Sequence, residues 1–205
     1  MIELSLDDFT RMTASKEPVP GGGGVSSLAG ALAASLAEMV TNLTSGKKAY
    51  LQYEEELQDI MKKAEELRIE LLDGIQGDAD AFYPLSHAYS ISKDDPQRDI
   101  ILENCLKEAA KPPFLTAELC ARVIELDEHL AEIGSKLSVS DAGTSAALAK
   151  GALYGAAMNV LVNTRLMKDR EYAEDLDAKT NALLEEYGPR ADACYEQVIR
   201  RLTNG

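Results

Sequence analysis

Residues 20–43 read PGGGGVSSLAGALAASLAEMVTNL. Four consecutive glycines are costly to order, yet here they do not sit in a linker. They open directly onto an alanine-rich apolar run, Val25 to Leu43. Leu28, Leu32 and Leu36 recur every four residues, and Ala29, Ala33 and Ala37 make a parallel stripe of small side chains. That spacing predicts a helix over about 23–44, with Gly46 as its C-terminal stop. The small stripe lets a second helix approach closely. A helix start leaves N–H groups unpaired and carries partial positive charge. Glycines there admit close approach to the backbone, so the run reads as a loop for an anionic or carbonyl-rich ligand. The G-x-x-x-x-G-K-[ST] pattern and a preceding strand are both missing, so it is not a P-loop. The apolar run has the length of a membrane span, but it is mostly Ala, Gly and Ser and carries Glu38. It reads as a buried helix of a soluble protein.

The flanking sequence extends the same pattern. No segment alternates with period two for long, so no strand is expected. Ser5 caps a short first helix with Leu6, Phe9 and Met12 on its apolar face, ending before Pro18. A long helix follows from about Lys48 to Tyr89, with an apolar ladder that includes Tyr50, Tyr53, Leu57, Ile60, Leu67 and Leu71. Ser92 to Pro96 breaks it, and Asp95-Pro96 reads as the next helix start. Pro112-Pro113 is expected to kink or interrupt this fourth helix before it ends near Gly134. A fifth helix starts at Ser138 to Asp141 and is again rich in small residues: Ala142, Ala146, Ala149, Gly155 and Ala156. The last spans about 170–202, with an interruption expected at Tyr187-Gly188-Pro189. The expected fold is all-α: one up-and-down helical bundle with long, partly kinked helices, a single domain over 1–205. Its two small-residue helices should face each other at the centre.

Composition bounds the function. A net charge of −14 argues against nucleic acid and against an anionic membrane surface. An anionic ligand must therefore meet a local basic cluster. Cys105, Cys120 and Cys194 are widely spaced with no C-x-x-C, which suggests neither a disulfide framework nor a zinc site. The expected compartment is the cytoplasm. His87 and His129 are the only histidines, too few for a His-based metal site, so no metal is expected.

Several polar groups stand out against the apolar pattern. Asp78 and Asp80 lie in Gly77-Asp78-Ala79-Asp80-Ala81-Phe82. Two residues apart on a helix, they point to different faces, so one at most faces a central cavity. An inward carboxylate there serves as general acid or base, and the alternative is two surface charges. Ser140-Asp141 reads first as an N-cap pair, and a cap at the bundle centre can also support a ligand. Lys47, Lys48 and Lys93 are candidates to hold a carboxylate. Asn159 and Asn163 share one helix face, and their amides need partners on another helix or on a ligand.

Together Pro20-Gly21-Gly22-Gly23 with its Ala-rich helix, Asn42 to Lys48, Asp78 to Phe82, the Lys93 loop, Pro112-Pro113, Ser140-Asp141 and Asn159 to Asn163 resemble the cyclodeaminase/cyclohydrolase family of folate enzymes. The order and spacing span nearly the whole chain. The resemblance implies an all-helical homodimer acting on a one-carbon tetrahydrofolate derivative, with no cofactor beyond that substrate. It places the acid/base aspartate on Asp78, with Ser140 and Asp141 in support. Substrate contacts are expected from Gly21, Gly22, Gly23, Gly24 and Ser26, from Lys47, Lys48 and Lys93, and from Asn159 and Asn163. The chain departs from the family pattern at Gly24, where Ser is common, at Ser45, where an aromatic is common, and in doubling the proline at Pro112-Pro113. The implied activity is methenyltetrahydrofolate cyclohydrolase. The alternatives are formimidoyltetrahydrofolate cyclodeaminase and a non-catalytic folate-binding or scaffold bundle.

Overall fold

The computed structural model describes residues 1–204, and those residues form helices without a strand. Helix α1 spans Leu6–Thr13, α2 Gly22–Thr44, α3 Glu54–Ala88, α4 Arg98–Ile133, α5 Val139–Thr164 and α6 Arg170–Thr203, with a 3₁₀ turn at Leu51–Tyr53. Successive long helices run antiparallel, as the up-and-down bundle requires. Across α2 and α5, Ser26 meets Gly155, Ala33 meets Ser145 and Thr44 meets the α4–α5 corner at Ser135.

The centre is where the small-residue helices touch. Ala33, Ala34 and Ala37 of α2 and Ala142, Ala146 and Ala149 of α5 are all fully buried. A Cβ at Gly155 would overlap Ser26 Oγ, so backbone approaches backbone there. The large side chains come from the flanking helices, with Leu57, Leu67 and Leu71 on α3 and Ile124 and Leu130 on α4. A second, smaller core of Leu85, Leu106, Val160 and Met167 closes the end where α2 and α4 begin.

The leucine ladder of α2 does not face inward. Leu28 and Leu36 are half-buried and Leu32 is 51% exposed, alongside exposed Val25, Met39 and Leu43. Tyr154, Met158 and Val162 of α5 are likewise exposed. The expectation of a buried helix thus holds for the alanine face of α2 alone. The alanines take the interior because only they allow the close α2–α5 crossing.

Three boundaries differ from the sequence reading. Helix α3 begins at Glu54, not Lys48. Gly46 takes a left-handed φ of 72°, and the Glu54 carboxylate accepts from Ser45 Oγ and from Gly46 N–H at 2.9 Å, folding residues 45–53 into a corner. Helix α4 begins at Arg98, because Asp95 Oδ1 accepts from Gln97 N–H at 2.8 Å in a turn. Ser138, not Ser140, is the N-cap residue of α5, and Ser140 and Asp141 lie in its first turn.

The prolines do not interrupt their helices. Helix α4 is continuous through Pro112 and Pro113, and α6 through Pro189. A proline frees the carbonyl four residues earlier. Pro113 frees that of Ala109, which accepts instead from Asn163 Nδ2 of α5 at 3.1 Å. Packing against α3 and α5 holds the rest of the turn in place.

Candidate functional site

The glycine run and Asp78 meet. Helix α3 carries Asp78 alongside the first turn of α2, where Asp78 Oδ2 accepts from the Gly24 N–H at 2.9 Å. That N–H belongs to the group a helix start leaves unpaired. A Cβ on Gly23 would overlap Asp78 Oδ1, so the carboxylate occupies the space of the missing side chain. Burial pushes the Asp78 carboxyl above the usual carboxylate range, and the Gly24 N–H pulls it partly back. Asp80 points elsewhere: it is exposed and accepts from Gln76 Nε2 at 2.8 Å.

Helix α5 supplies the other wall. Asn159 donates from Nδ2 to Gly155 O at 2.8 Å, and its amide lies so close to Gly22 that a Cβ there would sit 2.8 Å from Nδ2. Ser26 donates to Gly22 O at 2.7 Å and fits against Gly155. Asn163 is buried one turn further on. Both of its amide hydrogens go to backbone, to Ala109 O and Asn159 O at 3.1 and 2.9 Å. Its amide is therefore spent on tying α5 to α4, the helix-partner alternative, and offers no free donor to a substrate.

The remaining expected site residues divide by position. Lys93, exposed in the loop between α3 and α4, closes the same end of the bundle as Asp78. Lys47, Lys48, Ser140 and Asp141 lie at the opposite end. Lys47 Nζ donates to Ser135 Oγ at 3.2 Å, beyond the C-terminus of α2. Asp141 precedes Asn159 by 18 residues on one helix, roughly 27 Å at the α-helical rise. Within one chain, then, Ser140 and Asp141 do not support Asp78, and Lys47 and Lys48 do not reach what it touches.

One buried carboxylate was not singled out from sequence. Asp127 of α4 is fully buried. Its Oδ2 lies 2.8 Å from Ser145 Oγ, and its Oδ1 has no partner. Burial pushes its carboxyl well above the usual range, with the Ser145 hydroxyl opposing and Glu128 adding. The available signal was its position on the apolar stripe of Val123, Ile124, Leu130 and Ala131. Elsewhere, His129 pairs with Glu56 at the surface, Nδ1 to Oε1 at 2.8 Å.

The family model described as formiminotransferase-cyclodeaminase matches residues 5–182. A methenyltetrahydrofolate cyclohydrolase from Methylorubrum extorquens is 36% identical over 198 residues, covering 95% of each chain. The formimidoyltransferase-cyclodeaminase of Mus musculus is 27% identical over 91% of this chain, which spans only 35% of that longer protein. The crystal structure of a formiminotetrahydrofolate cyclodeaminase from Thermotoga maritima superposes with a TM-score of 0.83 at 35% identity, covering 98% of this chain and 97% of that one. The family-model match over residues 5–182 and the 36% identity to a relative covered over 95% of its length show that the chain belongs to the formiminotransferase-cyclodeaminase family.

Proposed function

We propose that the protein is a methenyltetrahydrofolate cyclohydrolase. The observation that carries this reading is the Asp78 carboxyl, held at the mouth of the bundle by one oxygen with the other unbonded. Hydrolysis adds water to the cationic methenyl carbon. One proton must leave the water as the C–O bond forms, and one C–N bond then breaks to give the formyl product. A half-buried carboxylate suits that step as general base, and its charge stabilises the methenyl cation while it waits. This chemistry calls for one proton shuttle from the protein, so no cofactor beyond the folate is assigned. The near full-length match to the Methylorubrum cyclohydrolase supports the same choice.

The cyclodeaminase reading has its own support in the Thermotoga structure, which is as similar over as much of the chain. There the side-arm nitrogen would attack a formimidoyl carbon, and the Asp78 acid would protonate the departing ammonia. Following methenyl absorbance with each folate separates the two. Loss of methenyl substrate without activity on formimidoyltetrahydrofolate supports the cyclohydrolase. Methenyl formation from formimidoyltetrahydrofolate, with slow hydrolysis, reverses the assignment. Binding without turnover of either folate would leave the non-catalytic reading.

The proposal extends to a homodimer through the exposed apolar stripe of α2 and α5. Val25, Leu32, Met39 and Met158 lie along it, and α2 carries a single charged residue, Glu38. An antiparallel pair would bring the lysine end of one protomer to the Asp78 end of its partner, joining the two groups of residues that one chain keeps apart. Leu32→Glu should halve the particle mass in sedimentation. An unchanged mass would place the interface elsewhere.

A further inference from the structure

We infer that the glycine run is a positioning cradle for Asp78 rather than a ligand grip: Gly23 provides the space for the carboxylate, the Gly24 N–H fixes Oδ2, and the transferable proton is carried on Oδ1. The inference rests on the assignment of Asp78 as the acid/base group and adds how the chain orients and tunes it.

The argument begins with what the first turn of α2 has to offer. A helix start presents N–H groups to an incoming anion, and in this chain the anion is already present as a side chain of α3. Gly24 N–H is taken by Asp78 Oδ2 at 2.9 Å. The space above Gly23 is filled by the same carboxylate, and that above Gly22 by the Asn159 amide. A ligand approaching this turn would have to displace both. Gly22 and Gly23 are therefore explained by two groups, the Asn159 amide and the Asp78 carboxylate, that pack against the backbone without a substrate.

The hydrogen bond also distinguishes the two oxygens. Oδ2 accepts from an N–H, and a proton placed on Oδ2 would compete with that bond. Oδ1 has no such donor and lies on the side of the missing Gly23 side chain. A neutral Asp78 thus keeps its anchor and exposes its acidic hydrogen on Oδ1. No charge enters this balance from the neighbouring helices. Between Gly22 and Asn42 helix α2 has only Glu38, which pairs with Arg68 at 3.0 Å. Between Asp141 and Arg165 helix α5 has only Lys150, which pairs with Asp192 at 2.6 Å. On α3, Asp80 faces away, and Glu108 and Lys111 of α4 pair with each other at 2.6 Å. Burial raises the carboxyl and the Gly24 N–H lowers it.

Two substitutions in adjacent residues therefore act in opposite directions. Gly23→Ala places a Cβ where Oδ1 sits and pushes the flexible side chain outward, toward water. Gly24→glycolic acid, an amide-to-ester replacement introduced by nonsense suppression, removes the N–H without adding an atom where Oδ2 sits, at a first-turn position whose N–H no helical carbonyl needs. The readout is the carboxyl-carbon NMR titration of Asp78 in protein labelled at aspartate, assigned with Asp78→Asn. Gly77→Ala, on α3 with open space around it, is the control. The expected result is a titration lowered in Gly23→Ala, raised in the Gly24 ester and unmoved in Gly77→Ala. In both glycine-run variants kcat should fall about 10- to 100-fold with KM within about twofold. Circular dichroism checks that each variant is folded, and Gly23→Ala carries the test alone if the Gly24 ester is not. Titrations that stay at the wild-type value, or that move the same way, overturn the cradle. A rise in KM with kcat intact would restore the glycine run to ligand binding. If the titrations move as expected but the wild type turns over neither folate, the cradle stands and the assigned reaction falls.

Discussion

Asp78 and Asp127 look alike by the usual signs. Each lies on an inward face of a long helix, and burial pushes each carboxyl above its ordinary range. They differ in where their oxygens lead. Asp78 has one oxygen on a backbone N–H and the other unbonded at the end of the bundle. Asp127 is sealed where α2, α4, α5 and α6 converge. Ser145 Oγ lies 2.8 Å from both Asp127 Oδ2 and Ala33 O, and the Cys194 thiol donates to the Asp127 backbone carbonyl at 3.3 Å. Ser145 has one hydrogen for two acceptors. A proton on Asp127 completes the chain, with the acid donating to Ser145 and Ser145 to Ala33 O, so Asp127 is a neutral member of the core. A raised carboxyl marks chemistry only where a substrate can reach it.

Removing each group should have opposite consequences, and the largest falls on activity. Asp78→Asn should lower kcat by roughly 10²- to 10⁴-fold, the usual contribution of a general acid or base, with the helical spectrum unchanged. Its thermal midpoint should be equal to or above wild type, because a carboxyl raised by burial opposes folding once ionised. Near-normal turnover would remove Asp78 from the chemistry.

The next effect is on stability. Asp127→Ala removes the partner of Ser145 and opens space in a close-packed core. It should cost about 1–3 kcal/mol in denaturant unfolding, with turnover per folded molecule unchanged. A loss of kcat at full folding would mean that the two aspartates are coupled, and the contrast between them would fail.

The smallest effect is a slope. A folded-state carboxyl raised above its unfolded value contributes stability that is fully present below the unfolded pKa and lost as pH rises through the folded one. Wild-type stability should therefore decline with pH above the ordinary carboxylate range. Asp127→Asn, which keeps the shape without the titration, should flatten that decline. Parallel wild-type and variant profiles would show that Asp127 is ionised in the fold after all.

Much of this was legible in the sequence, for identifiable reasons. The helices followed from apolar spacing, and the Ser5 cap from residue chemistry, confirmed by the Asp8 N–H donating to Ser5 Oγ at 3.1 Å. Two residues apart on a helix, Asp78 and Asp80 had to separate, and they do. The interruptions expected at the prolines do not occur, because a local rule counts the lost N–H but not a distant replacement. Asn163, 54 residues away in sequence, supplies one for Ala109. The leucines of α2 misled because hydrophobicity alone does not say which apolar face is buried. Size decided that: alanines permit the close crossing and leucines do not.

The sequence by itself determined an all-helical chain and its family. These depend on periodicity and residue type, which are local properties. Only the tertiary structure decided that the glycines hold Asp78, that Asn163 serves the backbone, and that Lys47 and Lys48 lie at the far end from the carboxylate. Those facts depend on which helices touch and at what height, and a linear pattern does not encode contact between residues 24 and 78.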